Sequence, residues 1–290
     1  MPQDTRLLIS VVVPTRDRPD LLRRCLDRLA PGAQTLEAAQ YEVIVADDGA
    51  PGSAAAALAA THPWVRVVAG PRRGPAANRN AGAQAAGGEW IAFTDDDTVP
   101  STEWLAAFAA ALTPGVDVYE GRTTCEAGFG SPLWHAPVNE TGGRLWSCNL
   151  LVHAAAFARV GGFDEAFRFP HMEDQDLRVR LLAYGGIQFV RDAVVDHPPR
   201  RQPGGARLGA YREAEVRFLY KHGAPRPVAR ALYRNIVRYR LGVIRSTPKS
   251  LDTAGALWSM VCELSHVARH IGAWERAAAR EFPPASPRTA

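Results

Sequence analysis

The chain is poor in sulfur and in lysine. Four cysteines (Cys25, Cys125, Cys148, Cys262) stand far apart among 290 residues, with no Cys-x-x-Cys pair. That spacing excludes a zinc ribbon or a disulfide framework and fits a reducing compartment. Lysine occurs only at Lys221 and Lys249, so the positive charge is almost entirely arginine. No apolar run approaches the roughly 20 residues that cross a bilayer, and the purest, Leu7–Val13, is strand-sized. The opening Met1–Arg6 is too polar to lead a signal peptide, so a cytoplasmic location is expected. Gly-x-Gly-x-x-Gly and Walker A sequences are missing, which removes the dinucleotide fingerprint and the P-loop. Hydrophobic residues at 47% and charged residues at 22% exclude whole-chain disorder and coiled coil.

The net charge of +4 is unevenly spread. Residues 1–204 hold 19 Arg against 24 Asp and Glu, a net −5; residues 205–290 hold 13 Arg, 2 Lys and 6 acids, a net +9. A basic C-terminal segment reads as solvated helix faces or as a surface for an anionic partner. Arg226, Arg230, Arg234 and Arg238 recur every four residues beside Val228, Leu232, Ile236 and Tyr239. This spacing predicts a basic stripe on a helix over 226–245 and peripheral contact with an anionic inner membrane face. Nucleic acid is not an expected partner.

In the first half, strand-length apolar runs alternate with helical patterns. Leu7–Val13, Glu42–Ala46, Val65–Ala69 and Trp90–Thr94 read as buried strands, with helices expected over Asp20–Leu29, Ser53–Ala60 and Pro75–Ala86. Such alternation predicts an α/β fold: a Rossmann-like, mostly parallel sheet with helices on both faces. A further strand is expected at Ile187–Val190, before Val194-Val-Asp-His197. From about Gly205 the pattern is helical only, over 206–222, 226–245 and 252–280. Pro198-Pro199 and Pro203-Gly-Gly205 mark a boundary. The expected domains are therefore 1–204, a basic helical extension over 205–282, and a flexible tail over 283–290.

Ligands of such sheets gather beyond the carboxyl ends of the strands, so the residues after each strand carry the functional reading. Asp95-Asp96-Asp97 follows the fourth strand. Three adjacent carboxylates repel one another, and a hard divalent cation with a diphosphate relieves the repulsion; a solvated acidic turn is the alternative. Asp47-Asp48-Gly49 follows the second strand, where a carboxylate accepts from a base N–H or ribose hydroxyl, or merely closes a turn. Gly70–Gly82 leads a glycine-containing, arginine-rich loop into a helix start, a phosphate-favouring arrangement. Glu173, Asp174 and Asp176 open another helix. The dipole alone accounts for acids there, and residues two apart diverge, so at most one or two share a site. His197 ends a strand-like run, where a metal ligand could stand.

Together these residues resemble the inverting family-2 nucleotide-sugar glycosyltransferases with the GT-A fold. The matching elements are Val11-Val-Val-Pro-Thr15, Val45-Ala-Asp-Asp-Gly49, Ala77-Asn-Arg-Asn-Ala-Gly82, Thr94-Asp-Asp-Asp97, Gly161-Gly-Phe-Asp-Glu165, Glu173-Asp174 and His197. They stand in family order across roughly residues 7–198. The resemblance implies a nucleotide-binding half over about 7–100 and an acceptor half over about 101–204. It implies that Pro14, Thr15 and Arg16 line the nucleotide pocket, that Asp47 or Asp48 reads the base, and that Arg79 and Asn80 lie on the donor side. Asp95 and Asp97 match the Asp-x-Asp acids, with Asp96 between them also counted on the donor side. Asp95, Asp97 and His197 are the implied ligands of Mn²⁺ or Mg²⁺. Asp174 matches the catalytic base, with Glu173 and Asn149 on the acceptor side. Outside the matching elements, the unpatterned stretch Gly121–Arg144 offers Trp134, His135 and Glu140 as acceptor-side candidates, with core packing the alternative for the aromatics.

The implied reaction moves a sugar from a nucleoside-diphosphate sugar, UDP-sugar as first choice, to a saccharide or lipid-linked acceptor in cell-surface glycan assembly. Gly49-Ala-Pro-Gly52 departs from the family's usual Gly-Ser. The absence of a Gln-x-x-Arg-Trp element argues against processive polymer synthesis. A haloacid-dehalogenase-type phosphatase with Asp95 as nucleophile and Asp97 as acid/base is the competing reading, weakened by three strand–helix units before the motif. A nucleotide-sugar-binding protein without catalysis is the other.

Overall fold

The apolar run near the start forms β1 (Ile9–Thr15), buried along its whole length. Seven buried residues in succession require cover on both faces of the sheet. Ile9, Val11 and Val13 enter one core cluster, with Leu22, Cys25 and Leu26 of α1 (Pro19–Leu29) and Trp104, Leu105 and Phe108 of α3 (Trp104–Ala111). Val12, pointing the other way, joins Ala76 of α2 (Pro75–Gln84), Phe157 of α4 (Ala154–Arg159) and Leu177 of α5 (Glu173–Leu182). The computed structural model describes residues 7–50, 58 and 60–283; the helix expected over Ser53–Ala60 falls almost wholly outside them, and the expected tail beyond Pro283 does so entirely.

Parallel pairing joins β3 (Val65–Ala69), β2 (Tyr41–Asp47), β1 and β4 (Trp90–Phe93), in that spatial order. The sheet continues through β8 (Leu150–His153), β6 (Val118–Thr124), β9 (Gln188–Asp196) and β5 (Val99–Pro100). Four of the seven neighbour pairings are parallel, so the sheet is mostly parallel with antiparallel strands after β4. The expected Ile187–Val190 strand and the Val194–Asp196 run are one strand, β9. Its register against β6 shifts between Gly121 and Arg122, where a bulge absorbs the break in apolar pattern.

Two compact units are present. The first comprises residues 1–127 and 136–198 and holds this sheet; the second comprises 128–135 and 199–290. In the second, β7 (Trp134–His135) pairs antiparallel with β10 (Arg200–Arg201), beside α6 (Gly205–Lys221), α7 (Ala229–Ser246) and α8 (Leu251–Glu281). Gly205, read from sequence as boundary punctuation, is a packing surface: a Cβ there would stand 1.9 Å from Ser259 O, and one on Gly209 would stand 2.7 Å from His266 Cβ. Only glycine lets α6 approach α8 this closely. Glu263, fully buried on α8, accepts from Nε of both Arg212 (2.8 Å) and Arg240 (2.9 Å).

The expected 226–245 helix begins later, at Ala229, because Pro227 lies just ahead of it. Arg226 is consequently outside the stripe: its guanidinium lies 4.3 Å from the Tyr220 ring and donates to Phe282 O. Arg230, Arg234 and Arg238 are exposed, while Val228, Leu232 and Ile236 are buried in the helical core. Among the described residues no helix is long and apolar enough to cross a membrane.

Candidate active site

The acidic turn after β4 is built by two threonines. Thr98 donates from its hydroxyl to Asp95 O (2.7 Å), and its hydroxyl lies 2.8 Å from that of Thr94, which donates to Cys148 O. The chain then enters β5, which pairs Val99 with Asp196 of β9. That register is what carries His197 to the turn, 100 residues away in sequence. Asp95, Asp97 and His197 present ligand atoms that all lie within 4.8 Å of one another.

His197 is fully buried, and its Nδ1 lies 3.1 Å from Pro198 O. A carbonyl only accepts, so Nδ1 donates there, and in the neutral ring Nε2 keeps its lone pair for a ligand. Nε2 makes no hydrogen bond and faces Asp97 Oδ1 at 3.4 Å. Two acceptors facing each other across that gap are the environment a divalent cation satisfies. A second-nitrogen hydrogen bond of this kind is also what orients a metal-binding imidazole. The residues present therefore fit a hard divalent cation, with Asp95 and Asp97 supplying oxygen and His197 nitrogen.

Arg79, 4% exposed on α2, joins this turn to the start of α5. Nη2 donates to Asp95 Oδ1 at 2.7 Å and Nη1 to Glu173 Oε1 at 3.1 Å, and its guanidinium stands 5.6 Å from the centre of the Phe163 ring. Helix α5 is entered through Met172 with φ of +71°, an unfavourable left-handed conformation for a side-chain-bearing residue. Such strain concentrates at functional sites. Here it delivers Glu173 and Asp174 together at the helix start. Burial raises both carboxyls above the ordinary range; the charge of Asp174 raises Glu173 further, and Arg79 opposes both shifts. Asp174 Oδ1 accepts from Gln175 N at 2.7 Å. Asp176 is fully buried and held by Arg180 Nε at 2.8 Å, diverging from Asp174 as two-residue spacing on a helix demands.

The other residues nominated from sequence make structural contacts as follows. Asp96 is fully buried, accepting from Thr15 Oγ1 at 2.6 Å and paired with Arg18 Nη2 at 2.7 Å; burial foremost pushes its carboxyl up to about 7. Thr15 thus spends its hydroxyl on Asp96, beside Pro14 in β1, while Arg16 is exposed. Asn80 faces the Gly161–Glu165 turn, donating to Phe163 O and accepting from Phe163 N. Asn149 is buried and joins several elements: it accepts from Trp104 Nε1 and donates to Arg122 O and Ala193 O. Trp134 and His135 belong to the second compact unit. At the end of β2, Asp47 Oδ1 closes a turn by accepting from Gly49 N, and Asp48 Oδ1 accepts from Arg72 N in the loop after β3.

Sequence reasoning missed four residues. Arg18 reaches both Asp96 and Asp97, the latter at 3.0 Å; its place just after the first strand was the available signal. Asn78, next to Arg79, donates to Ala46 O and Thr15 O and so ties the ends of β1 and β2 to α2. Gly70 must be glycine, since a Cβ would lie 2.3 Å from Asn78 Oδ1. Glu120, buried on β6, gathers the amides of Gly143, Arg144 and Leu145 and the side chain of Asn139. This loop is tied to α5 by Gln175 Nε2 donating to Arg144 O at 2.7 Å. No local pattern signals that carboxylate.

The comparisons with known proteins converge. The mannosyltransferase PcManGT from Pyrobaculum calidifontis, solved with GDP-Man and Mn²⁺, superposes with a TM-score of 0.55 at 20% identity, over 96% of this chain and 87% of that one. S. aureus TarS 1-349 with UDP-GlcNAc gives 0.57 at 17% identity, over 95% and 90%. These likenesses establish the GT-A fold. In sequence, the chain is 28% identical over 214 residues to the pre-mycofactocin glycosyltransferase of Mycobacterium tuberculosis, covering 67% of this chain and 43% of that protein. It is 28% identical over 262 residues to the validoxylamine A glucosyltransferase of Streptomyces hygroscopicus subsp. jinggangensis, covering 74% and 61%. The chain thus spans less than two thirds of either relative. The model of glycosyl transferase family 2 matches residues 10–160, from β1 through the acidic turn to the Gly161 turn. With more than half of its length matched by that model, on a GT-A sheet whose strand ends gather the acidic turn, Arg79 and the Glu173-Asp174 pair, the chain belongs to glycosyl transferase family 2.

Proposed function

We propose that this protein transfers a sugar from a nucleoside-diphosphate sugar to a hydroxyl of a saccharide or lipid-linked saccharide, with inversion and one residue per encounter. The observation that carries this reading is the buried Arg79, which spans the Asp95 turn and the Glu173-Asp174 pair in a single residue. Donor chemistry and acceptor chemistry are then adjacent. Residues 1–204 carry the reaction in this reading, and 205–282 form an appended helical domain. UDP is the first choice of nucleotide on the family resemblance, and assembly of a cell-surface glycan or glycoconjugate is the expected setting.

Asp95, Asp97 and His197 would hold the divalent cation, Mn²⁺ or Mg²⁺. When bound, it supplies positive charge beside the leaving diphosphate. The chain's own residues do the rest. Asp174 accepts the proton of the acceptor hydroxyl as that oxygen attacks the anomeric carbon. The bond from that carbon to the diphosphate oxygen breaks, and its electron pair leaves on the diphosphate. Arg79 fixes the acidic turn and the helix start at a constant separation, so attack comes from the face opposite the leaving group. Glu173, tied to Arg79, holds the entry of α5, and the Glu120-anchored loop over 139–145 flanks the acceptor. Asp47 and Asp48 lie at the end of β2, where a base or ribose would be read, and Asp96 sets Arg18 beneath the site.

A thermal-shift screen of nucleoside diphosphates with Mn²⁺ or Mg²⁺ tests the reading, because a ligand at 100 times its Kd adds about 2.7 kcal/mol. A metal-dependent shift followed by donor turnover is expected. No shift with any diphosphate in either metal would overturn it.

A further inference from the structure

The second unit carries an apolar face that its own core does not use. Helix α8 turns Ala256, Glu263 and Val267 inward. On the other side its first three turns expose Leu251 (95%), Leu257 (41%), Trp258 (68%) and Val261 (50%). These recur at helical spacing and form one patch, larger than scattered surface hydrophobics require. The short ribbon of β7 and β10 runs beside Gly255, where a Cβ would lie 3.5 Å from Leu133 Cδ1. It adds the half-exposed Trp134 and the exposed Arg200 and Arg201.

The charges around the patch have one sign. Exposed Arg245 and Lys249 precede it, and exposed Arg269 and Arg276 follow on the same side of the helix. The carboxylates of this stretch face elsewhere: Glu263 is buried on Arg212 and Arg240, and Asp252 projects from another side. Glu215 and Glu281 are taken by Arg212 and Arg217, and Glu275 accepts from the amides of Val228 and Ala229. Self-association through this face would bring its cations onto one another, whereas an apolar surface with anionic groups at its edge complements it.

We infer that the outer face of α8 over residues 251–269, with Lys249 just ahead of it, docks on an anionic phospholipid surface. Trp258 would sit at headgroup level with Leu251 and Val261 in the acyl boundary, and Lys249 and Arg269 against phosphate. The sequence pattern had directed this role to the arginines of α7. We place it on α8 instead, because Val228, Leu232 and Ile236 beside that stripe are buried in the helical core and only Tyr239 is exposed.

The test is flotation of the full chain with vesicles of phosphatidylcholine, with and without phosphatidylglycerol. Binding to the anionic vesicles only, falling about tenfold or more in both Trp258→Ser and Leu251→Ser, is expected. Leu251 is nearly fully exposed, so its replacement leaves the core intact and covers the case of a misfolded Trp258 variant. Equal binding by wild type and Leu251→Ser, or no preference for anionic lipid, overturns the inference. So does a wild-type dimer that Trp258→Ser converts to monomer without any vesicle binding, which would make the face an interface between copies.

Discussion

Arg79 donates through Nη1 to Glu173 Oε1 at 3.1 Å, across 94 residues of sequence, and each side chain is about 5% exposed. A buried ion pair adds little stability over an apolar pair, yet breaking one is costly because it strands a buried charge. The pair is better understood as a brace: Arg79 neutralises Asp95 and Glu173 at once and sets the distance between two halves of a site.

Arg79→Met is therefore expected to lower stability by about 3–5 kcal/mol. Adding Glu173→Gln should recover part of that loss, since one stranded carboxylate is removed. Urea unfolding of the single and double variants checks this; independent, additive losses would mean that the two residues do not share an interaction.

Asp174→Asn should keep donor Kd and reduce transfer by roughly 10²–10⁴-fold. The same variant should be the more stable protein. Burial raises the Asp174 carboxyl, so its ionised form destabilises the folded state above the folded-state pKa, and a neutral amide removes that penalty. A Tm gain of about 2–4 °C at neutral pH is expected, shrinking as pH falls through the raised value of about 6 and gone below the ordinary carboxylate value near ~4. Calorimetry across pH measures it.

A base must be ionised to act, so turnover should fall as pH drops through the raised value of the Glu173-Asp174 pair. The acid limb of kcat should lie above the ordinary carboxylate range near ~4, and belongs to the pair as a unit. Glu173→Gln removes a like charge and should move that limb to lower pH. An unmoved limb would place the titrating group elsewhere.

Asp97→Ala should abolish the metal-dependent part of nucleoside-diphosphate binding, and His197→Gln should weaken it. Glu126→Ala, outside the cluster, should leave it intact. Calorimetric titration of a nucleoside diphosphate with Mn²⁺ and then with chelator decides the matter. Equal metal dependence in wild type and Asp97→Ala would remove the cation from this cluster.

Asn149→Ala separates a packing role for that residue from an acceptor role. It strips three buried hydrogen bonds that join β8, β6, β9 and α3. A stability loss of at least about 1–3 kcal/mol is expected, with acceptor KM unchanged in the folded fraction. A KM effect without a stability effect would restore the acceptor reading.

The sequence alone determined the class of fold and the places where chemistry gathers. Strand-length, β-branched apolar runs between turn residues made β1, β2, β3 and β4 legible within a residue or two, although β3, at the edge of the sheet, is not the buried strand expected, and acids following such runs lie at strand ends. The resemblance supplied the list of polar residues around those ends. Local pattern could not determine which of them share contacts. His197 reaches Asp97 only because β5 pairs with β9, and Arg79 reaches Glu173 only because α2 and α5 cover the same face of the sheet. Asn149 and Asp96 are buried polar residues whose partners, Trp104, Arg122 and Ala193 for one and Thr15 and Arg18 for the other, no local pattern gives. The helical segment shows the same limit. Its basic charge was plain from composition, but which of its faces stays uncovered depended on the close approach of α6 at Gly205 and Gly209, a tertiary contact that no periodicity encodes.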